Sequence, residues 1–182
     1  MTTSITTATT TTGTTTTITT ATTTTTSTSA TTTTTTACSN RFLTQATYST
    51  GSNPYSVAAA DVNGDGKPDI IIANYNANNS GVLLNNGNGT LAAQVTYPTS
   101  SQPIFVTVAD IDGDNNADII VANQGANNVG VLVNTGNGTF VAQVTHSTSS
   151  GPQSVAAADV NGDGKLDIIV ANSNANNIFY FD

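Results

Sequence analysis

Positive charge is scarce in this chain. Among 182 residues there are three basic side chains, Arg41, Lys67 and Lys165, and the formal net charge is −8. Nucleic-acid-binding proteins neutralise phosphates with clustered Lys and Arg, and anionic lipid surfaces attract the same side chains. The composition therefore argues against a nucleic-acid partner and against binding to an anionic membrane.

Long apolar runs and cysteine pairs are also lacking. No stretch approaches the roughly 20 apolar residues of a membrane-spanning helix, so we expect no membrane insertion. No charged segment followed by an apolar one marks a signal peptide, which leaves an intracellular protein or a piece of a longer secreted chain. Cys38 is the only cysteine, which excludes an internal disulfide and leaves open an inert thiol or an intermolecular bond.

Groups for zinc binding or acid–base catalysis are few. The sequence has one histidine, His146, and no glutamate, so no ligand cluster for zinc is present. His146 aligns with Tyr48 and Tyr97 in the repeat described below, which predicts a surface residue at a strand end. General acid–base work needs a His, Glu or Asp with a tuned pKa in a cleft, and we therefore expect no enzyme.

Aspartate, by contrast, is concentrated in one motif. Ten of the eleven acidic residues lie in three copies of a nine-residue segment, and the eleventh is Asp182. The copies are residues 61–69 (DVNGDGKPD), 110–118 (DIDGDNNAD) and 159–167 (DVNGDGKLD), at a constant spacing of 49. Oxygen ligands at the first, third, fifth and ninth positions are what a hard divalent cation needs, and Ca²⁺ is the natural candidate.

Each loop is predicted to supply five metal ligands. The side chains at four positions converge as the backbone curls, whereas the seventh residue supplies its carbonyl and directs its side chain to water. The predicted ligands are Asp61, Asn63, Asp65, Lys67 and Asp69; then Asp110, Asp112, Asp114, Asn116 and Asp118; and finally Asp159, Asn161, Asp163, Lys165 and Asp167. We therefore expect about three Ca²⁺ per chain, with a metal-free Asx-turn hairpin as the alternative.

Two features of the loops refine this prediction. Gly66 permits the sharp turn in the first loop, and Asn115, which replaces glycine in the second, tolerates a left-handed backbone better than most residues. An EF-hand is excluded because its twelfth position needs a bidentate Glu, and Ile72, Val121 and Val170 stand there.

The chain divides into two regions by composition. Residues 1–38 are dominated by Thr and hold few side chains able to build a core, which predicts a disordered segment or an O-glycosylated stalk. Residues 39–182 have ordinary composition and form repeats of about 48–96, 97–145 and 146–182.

The first two repeats predict four short strands each, the third stops at its third strand, 178–181, and no repeat predicts a helix. The second strands, at 70–73, 119–122 and 168–171, are continuous β-branched runs, which indicates burial on both faces. The fourth strands are predicted at 91–96 and 140–145, and residues 42–47 align with them as an orphan strand. Four strands in each unit of about 50 residues are typical of a propeller blade. The prediction is an all-β fold of about three four-stranded blades: a partial propeller, one closed by strand exchange, or one completed by self-association.

The Asp loop between two strands, followed by GVLLNNGNGT or GVLVNTGNGTF, resembles the FG-GAP/VCBS repeat family, whose repeats occur in integrin alpha-subunit propellers and in many extracellular or secreted proteins. The resemblance covers about residues 42–182. It implies a β-propeller, typically seven-bladed, with Ca²⁺ in the loop joining the first two strands of each blade. The present chain departs from that pattern in having three blades.

The resemblance also implies where partners bind. In the family this is usually the face opposite the Ca²⁺ loops, which here would carry the turns at 51–54, 100–103 and 149–152 and the Asn-rich loops at 74–80, 123–128 and 172–177. The expected function is an extracellular or cell-surface module for recognition or adhesion, with a protein or glycan ligand. The alternatives are a structural spacer without its own ligand and a non-catalytic domain of a larger secreted protein.

Overall fold

The computed structural model describes residues 8–12, 15–19 and 45–182, and it contains two compact units, Met1–Gln45 and Ala46–Asp182. In the first unit, strands β1 (Ala8–Thr12) and β2 (Thr15–Thr19) form an antiparallel hairpin in which Ala8 pairs with Thr19. Cys38, Arg41 and the first part of the predicted orphan strand lie outside the described residues.

The second unit consists of three consecutive antiparallel sheets, which we call blades one, two and three. Their strands run in chain order across each sheet. Blade one comprises β3 (Pro54–Ala60), β4 (Asp69–Asn74), β5 (Asn79–Leu83) and β6 (Val95–Pro98); blade two comprises β7 (Pro103–Ala109), β8 (Asp118–Asn123), β9 (Asn128–Leu132) and β10 (Val144–Ser147); blade three comprises β11 (Pro152–Ala158), β12 (Asp167–Asn172) and β13 (Asn177–Phe181). Within the described residues, the helical content is a single 3-10 turn, Gln124–Ala126. The all-β, blade-like fold predicted from the repeat is confirmed.

The core lies between the blades. Ile119 and Val121 pack toward blade one in a first hydrophobic cluster, whereas Ile120 and Ala122 pack toward blade three in a second. All four side chains are fully buried, at 0 % exposure. Because successive side chains of a strand point to opposite faces, β8 is apolar at every position between its ends, and the predicted burial of the continuous runs on both faces is confirmed in this strand.

The fourth strands begin later than predicted. They span Val95–Pro98 and Val144–Ser147, not 91–96 and 140–145, and the earlier residues contribute only the isolated bridges of Leu91 to Asn85 and of Phe140 to Asn134. A glutamine folds over the neighbouring strand where the ladder begins. A Cβ at Gly81 would overlap the Gln94 side chain, and regular pairing with β5 begins at the next residue, Val95.

The described part of the orphan strand, residues 45–47, is not in a strand, so this prediction was wrong there. The last sheet has three strands, ordered β11-β12-β13, and residues 45–50 do not complete it. The segment instead adjoins blade one, where the Tyr48 hydroxyl accepts a hydrogen bond from the Leu91 N–H at 3.1 Å. Closure by strand exchange does not occur among residues 45–182.

Candidate metal-binding loops

The three Asp motifs form equivalent loops that join the first two strands of each blade. Each loop curls through two left-handed residues, and in the first loop these are Gly64 and Gly66, with φ of 74° and 79°. In the second loop Asn115 takes the same conformation, with φ 67°. The prediction that Asn115 substitutes for glycine is therefore confirmed.

The first Asp of each loop binds the backbone amides of the curl. Asp61 Oδ1 accepts the Gly64 N–H at 2.8 Å, and its Oδ2 accepts the Gly66 N–H at 2.7 Å. The Gly66 bond is the largest cause that lowers the pKa of the Asp61 carboxyl below its ordinary value. Asp110 and Asp159 make the corresponding bonds to the second and third loops. The first Asp of each loop is thus held inward by the backbone amides of its own loop.

The fifth position differs between the loops. Asp65 accepts both the Lys67 N–H and the Lys67 ammonium, the latter at 2.9 Å, and the Lys67 side chain is the main cause that lowers the pKa of Asp65. The Lys67 side chain is 42 % exposed, and its ammonium lies at the surface beside this carboxylate. In the second loop the Asn116 amide donates to Asp114 at 2.8 Å and likewise lowers its pKa. Asp163 accepts the Lys165 N–H at 2.8 Å.

The third position is Asn in two loops and Asp in the second. Asn63 Oδ1 accepts the Asp65 N–H at 3.1 Å, and Asn161 Oδ1 accepts the Asp163 N–H at 2.8 Å. Asn161 also donates its amide to Asp182 at 2.9 Å. Asp182, the one acidic residue outside the motifs, therefore contacts the third loop.

The ninth Asp is a buried bridge, and sequence reasoning missed this role. Asp118 is 0 % exposed; its Oδ2 accepts the Ile111 N–H at 2.9 Å and its Oδ1 accepts the Asn134 N–H at 2.8 Å. It thereby ties the loop to the turn after the third strand. Asp69 is equally buried and makes the same pair of bonds in blade one, to Val62 and Asn85.

Burial raises the pKa of Asp118 above its ordinary value, and the nearby negative charges of Asp112 and Asp114 add to the rise. Desolvation disfavours the charged form of a carboxyl, and like charges disfavour it further. A cation held between these groups would remove both penalties.

Asn134 extends the bridge between blades. Its side chain is 2 % exposed and donates to the Val62 carbonyl of the first loop at 2.8 Å and to the Ala117 carbonyl of its own loop at 3.0 Å. The side-chain amide of Asn85, its counterpart in blade one, donates to the Pro68 carbonyl at 3.0 Å and, within residues 45–182, to no other blade. Asparagine recurs at this position 49 residues apart, but this recurrence does not indicate which residue the side chain contacts.

The second loop alone brings three carboxylates together among the described residues. One oxygen from each of Asp110, Asp112 and Asp118 lies within 4.8 Å of the others. A cleft of about 390 Å³ adjoins it, lined by this loop and by residues Gly164, Lys165 and Leu166 of the third. A convergent set of oxygens is the donor set that Ca²⁺ takes. The second loop therefore fits a calcium ion. The first and third loops have Asn63 and Asn161 at the third motif position, where the second loop has Asp112.

His146 lies in β10 at the protein surface, as predicted, and its ring packs on Phe181 with centroids 5.4 Å apart. Among the described residues, no helix has the length and apolar character to cross a membrane.

Comparison with solved structures shows limited likeness. The chain matches the Photorhabdus luminescens Tc holotoxin pore (TM-score 0.47, 25% identity, 68% of this chain and 6% of that one) and the V. cholerae biofilm matrix protein Bap1 (TM-score 0.39, 25% identity, 72% and 23%). It thus spans less than a quarter of the length of either protein. No curated protein matches it.

Comparison with protein families gives a match over most of the chain. The model of the FG-GAP-like repeat matches three times, at residues 39–72, 61–121 and 110–170. The successive matches begin at or before an Asp loop and cover all three motifs, as the resemblance predicted. The chain therefore belongs to the FG-GAP-like repeat family.

Proposed function

We propose that the chain is a calcium-binding repeat module for extracellular recognition or adhesion, in which Ca²⁺ is structural. The observation that carries the proposal is the convergence of Asp110, Asp112 and Asp118 within 4.8 Å in the second loop. Ca²⁺ takes about six to eight oxygens, so the Asp114 side chain and the Asn116 carbonyl would join these three carboxylates, and bidentate carboxylates or water would supply the rest.

The equivalent oxygens of the other two loops would bind in the same manner, with an Asn amide oxygen in place of one carboxylate. Their candidate ligands are Asp61, Asn63, Asp65, Lys67 (carbonyl) and Asp69, and Asp159, Asn161, Asp163, Lys165 (carbonyl) and Asp167. In the first loop the Lys67 ammonium already neutralises Asp65, so we expect the second loop, with four carboxylates, to bind most tightly.

A structural cation stabilises the folded state by the free energy of binding. The loop residues converge only when the first two strands are paired, so the unfolded chain has no formed site, and binding becomes folding free energy. Occupancy at one hundred times Kd contributes about 2.7 kcal/mol per site, which corresponds to a rise in Tm of about 5–10 °C. Extracellular modules bind Ca²⁺ with Kd of about 0.1–1 mM, which suits a compartment rich in calcium.

The test is a Ca²⁺ titration of the full chain, with Tm followed by calorimetric unfolding and stoichiometry by isothermal titration. We expect about three ions per chain, and a Tm that rises with calcium and much less with Mg²⁺, because Mg²⁺ demands a smaller octahedral site. Asp110→Asn and Asp112→Asn remove the same charge from the second loop. The first should weaken that site by tenfold or so, whereas the second introduces the residue that the other loops carry at this position. The same Tm in calcium and in chelator would contradict the proposal.

The recognition part of the proposal concerns the strand ends opposite the Asp loops. There the Tyr55 and Tyr75 rings pack with centroids 4.8 Å apart, beside exposed polar turns. Aromatic faces with adjacent amides and hydroxyls are suited to sugars and peptides. On a glycan and peptide array, we expect binding that Tyr75→Ala abolishes and Tyr180→Ala, at an exposed aromatic elsewhere, leaves intact. An array without signal would favour the alternative, a structural spacer in a larger protein.

A further inference from the structure

Every blade has two apolar faces, and the interior of the chain shows what covers them. We call the side that points to the preceding blade the leading face and the other side the trailing face. At the first junction, Ile71 and Val82 of the trailing face of blade one pack with Val106 and Leu132 of the leading face of blade two. At the second junction, the trailing face of blade two packs on the leading face of blade three.

The leading face of blade one is open at its inner strand. Val57 in β3 is 65 % exposed, whereas Val106 and Val155, at the same register in the next two blades, are 2 % and 4 % exposed. Leu83, further out on the same face, is covered within the chain, at 2 %. The exposure of Val57 therefore reflects a missing neighbour along β3.

The trailing face of blade three is open across its third strand. Ile178 in β13 is 73 % exposed, whereas Val129 at the same register of blade two is 0 % exposed. Tyr180 is 54 % exposed against 7 % for the equivalent Val131. Ala171, whose equivalent Ala122 is fully buried, is also exposed. Large apolar groups clustered on one sheet face are unusual on the surface of a protein that acts alone.

A polar contact accompanies each internal junction. Asn78 Oδ1 accepts the Gln102 N–H of the next blade at 2.8 Å, and Asn127 Oδ1 accepts the Gly151 N–H at 2.9 Å. A third contact of this kind has its acceptor and its donor at opposite ends of the unit. Asn176 in blade three is equivalent to the acceptor Asn78, and Asn53 in blade one is equivalent to the donor Gln102. Both residues are exposed and left-handed, with φ of 52° and 56°.

We propose that a second copy of this chain docks head to tail, with the leading face of its blade one on the trailing face of blade three. The occupant follows from the chain's own junctions, since the same two kinds of face already pack together twice within it. A head-to-tail contact is heterologous and closes when the rotation permits. The inference goes beyond the proposed function and does not depend on calcium.

Face packing, and not strand addition along β13, is the mode that the sequence favours. Gln94 lies over Gly81, and Gln143 over Gly130, at the edge where the fourth strand joins. Phe179 stands at that register in blade three and packs against Phe181, with ring centroids 5.0 Å apart. A fourth strand added from a second copy would place its glutamine on Phe179, where the first two blades have a glycine.

The test is the mass of the full chain in solution, measured by sedimentation velocity over a range of concentrations in both calcium and chelator. The wild-type chain should reach twice its 18.4 kDa mass at about 0.1 mM. Val57→Asp blocks the leading face, and Ile178→Asp blocks the trailing face. Each variant alone should associate at least about tenfold more weakly, because a buried unpaired carboxylate is costly. Both positions are exposed, so folding is expected to survive, and a thermal melt checks it.

Mixing the two variants separates a head-to-tail contact from a symmetric one. Val57→Asp retains an intact trailing face and Ile178→Asp an intact leading face, so the equimolar mixture should form a one-to-one dimer and nothing larger. The matched control is Val95→Asp, since Val95 and Val144 are 53 % and 54 % exposed although a blade follows each of them. A monomeric wild type, a monomeric mixture, or face variants that associate like the wild type would overturn the proposal.

Discussion

Replacement of Asp118 by Ala is expected to lower the free energy of unfolding by about 2–5 kcal/mol, even in chelator. Its two carboxylate oxygens accept the Ile111 and Asn134 N–H groups at 2.9 and 2.8 Å, in a site with 0 % exposure. Alanine leaves both donors without an acceptor, and each buried unsatisfied group costs about 1–3 kcal/mol. Relief of the repulsion from Asp112 and Asp114 offsets part of this loss.

The control is the same substitution in blade three. Asp167 is as buried as Asp118, at 1 % exposure, but within residues 45–182 it accepts only the Val160 N–H, at 2.8 Å. Urea unfolding in chelator should therefore show about half the loss for Asp167→Ala. Equal losses would mean that the bridge to the turn contributes nothing. A loss seen only in calcium would make Asp118 a metal ligand without a structural role of its own.

The Asp loops were predictable because their determinants are local. Alternating acids, amides and glycines within nine residues define the turn and its left-handed positions, and Asn115 shows that the rule extends to a substitution. The continuous apolar run of β8 likewise predicted burial on both faces, since a strand has a period of two.

What the sequence could not predict depends on contacts between distant residues. The bond from Asn134 to Asp118 joins positions 16 apart, and that from Asn134 to Val62 joins positions 72 apart. Neither has a pattern in either segment alone. Strand β6 starts directly after Gln94, whose side chain lies over Gly81, and this packing relation between strands is not a propensity of either segment.

Truncation of Ile119 to Ala is expected to destabilise the unit by about 2–5 kcal/mol, because it empties a fully buried site between blades one and two. Ile70 occupies the same register in blade one and is half-buried, so Ile70→Ala removes the same atoms from a site that water already reaches. Its loss should be smaller by at least about 1 kcal/mol.

Urea unfolding measures both losses, and the m-values should stay unchanged. Because β8 contributes to both core clusters, we expect Ile119→Ala to shift a single transition. Two resolved transitions would show that the blades unfold independently, and equal losses would show that the junction adds nothing to the stability of the blade itself.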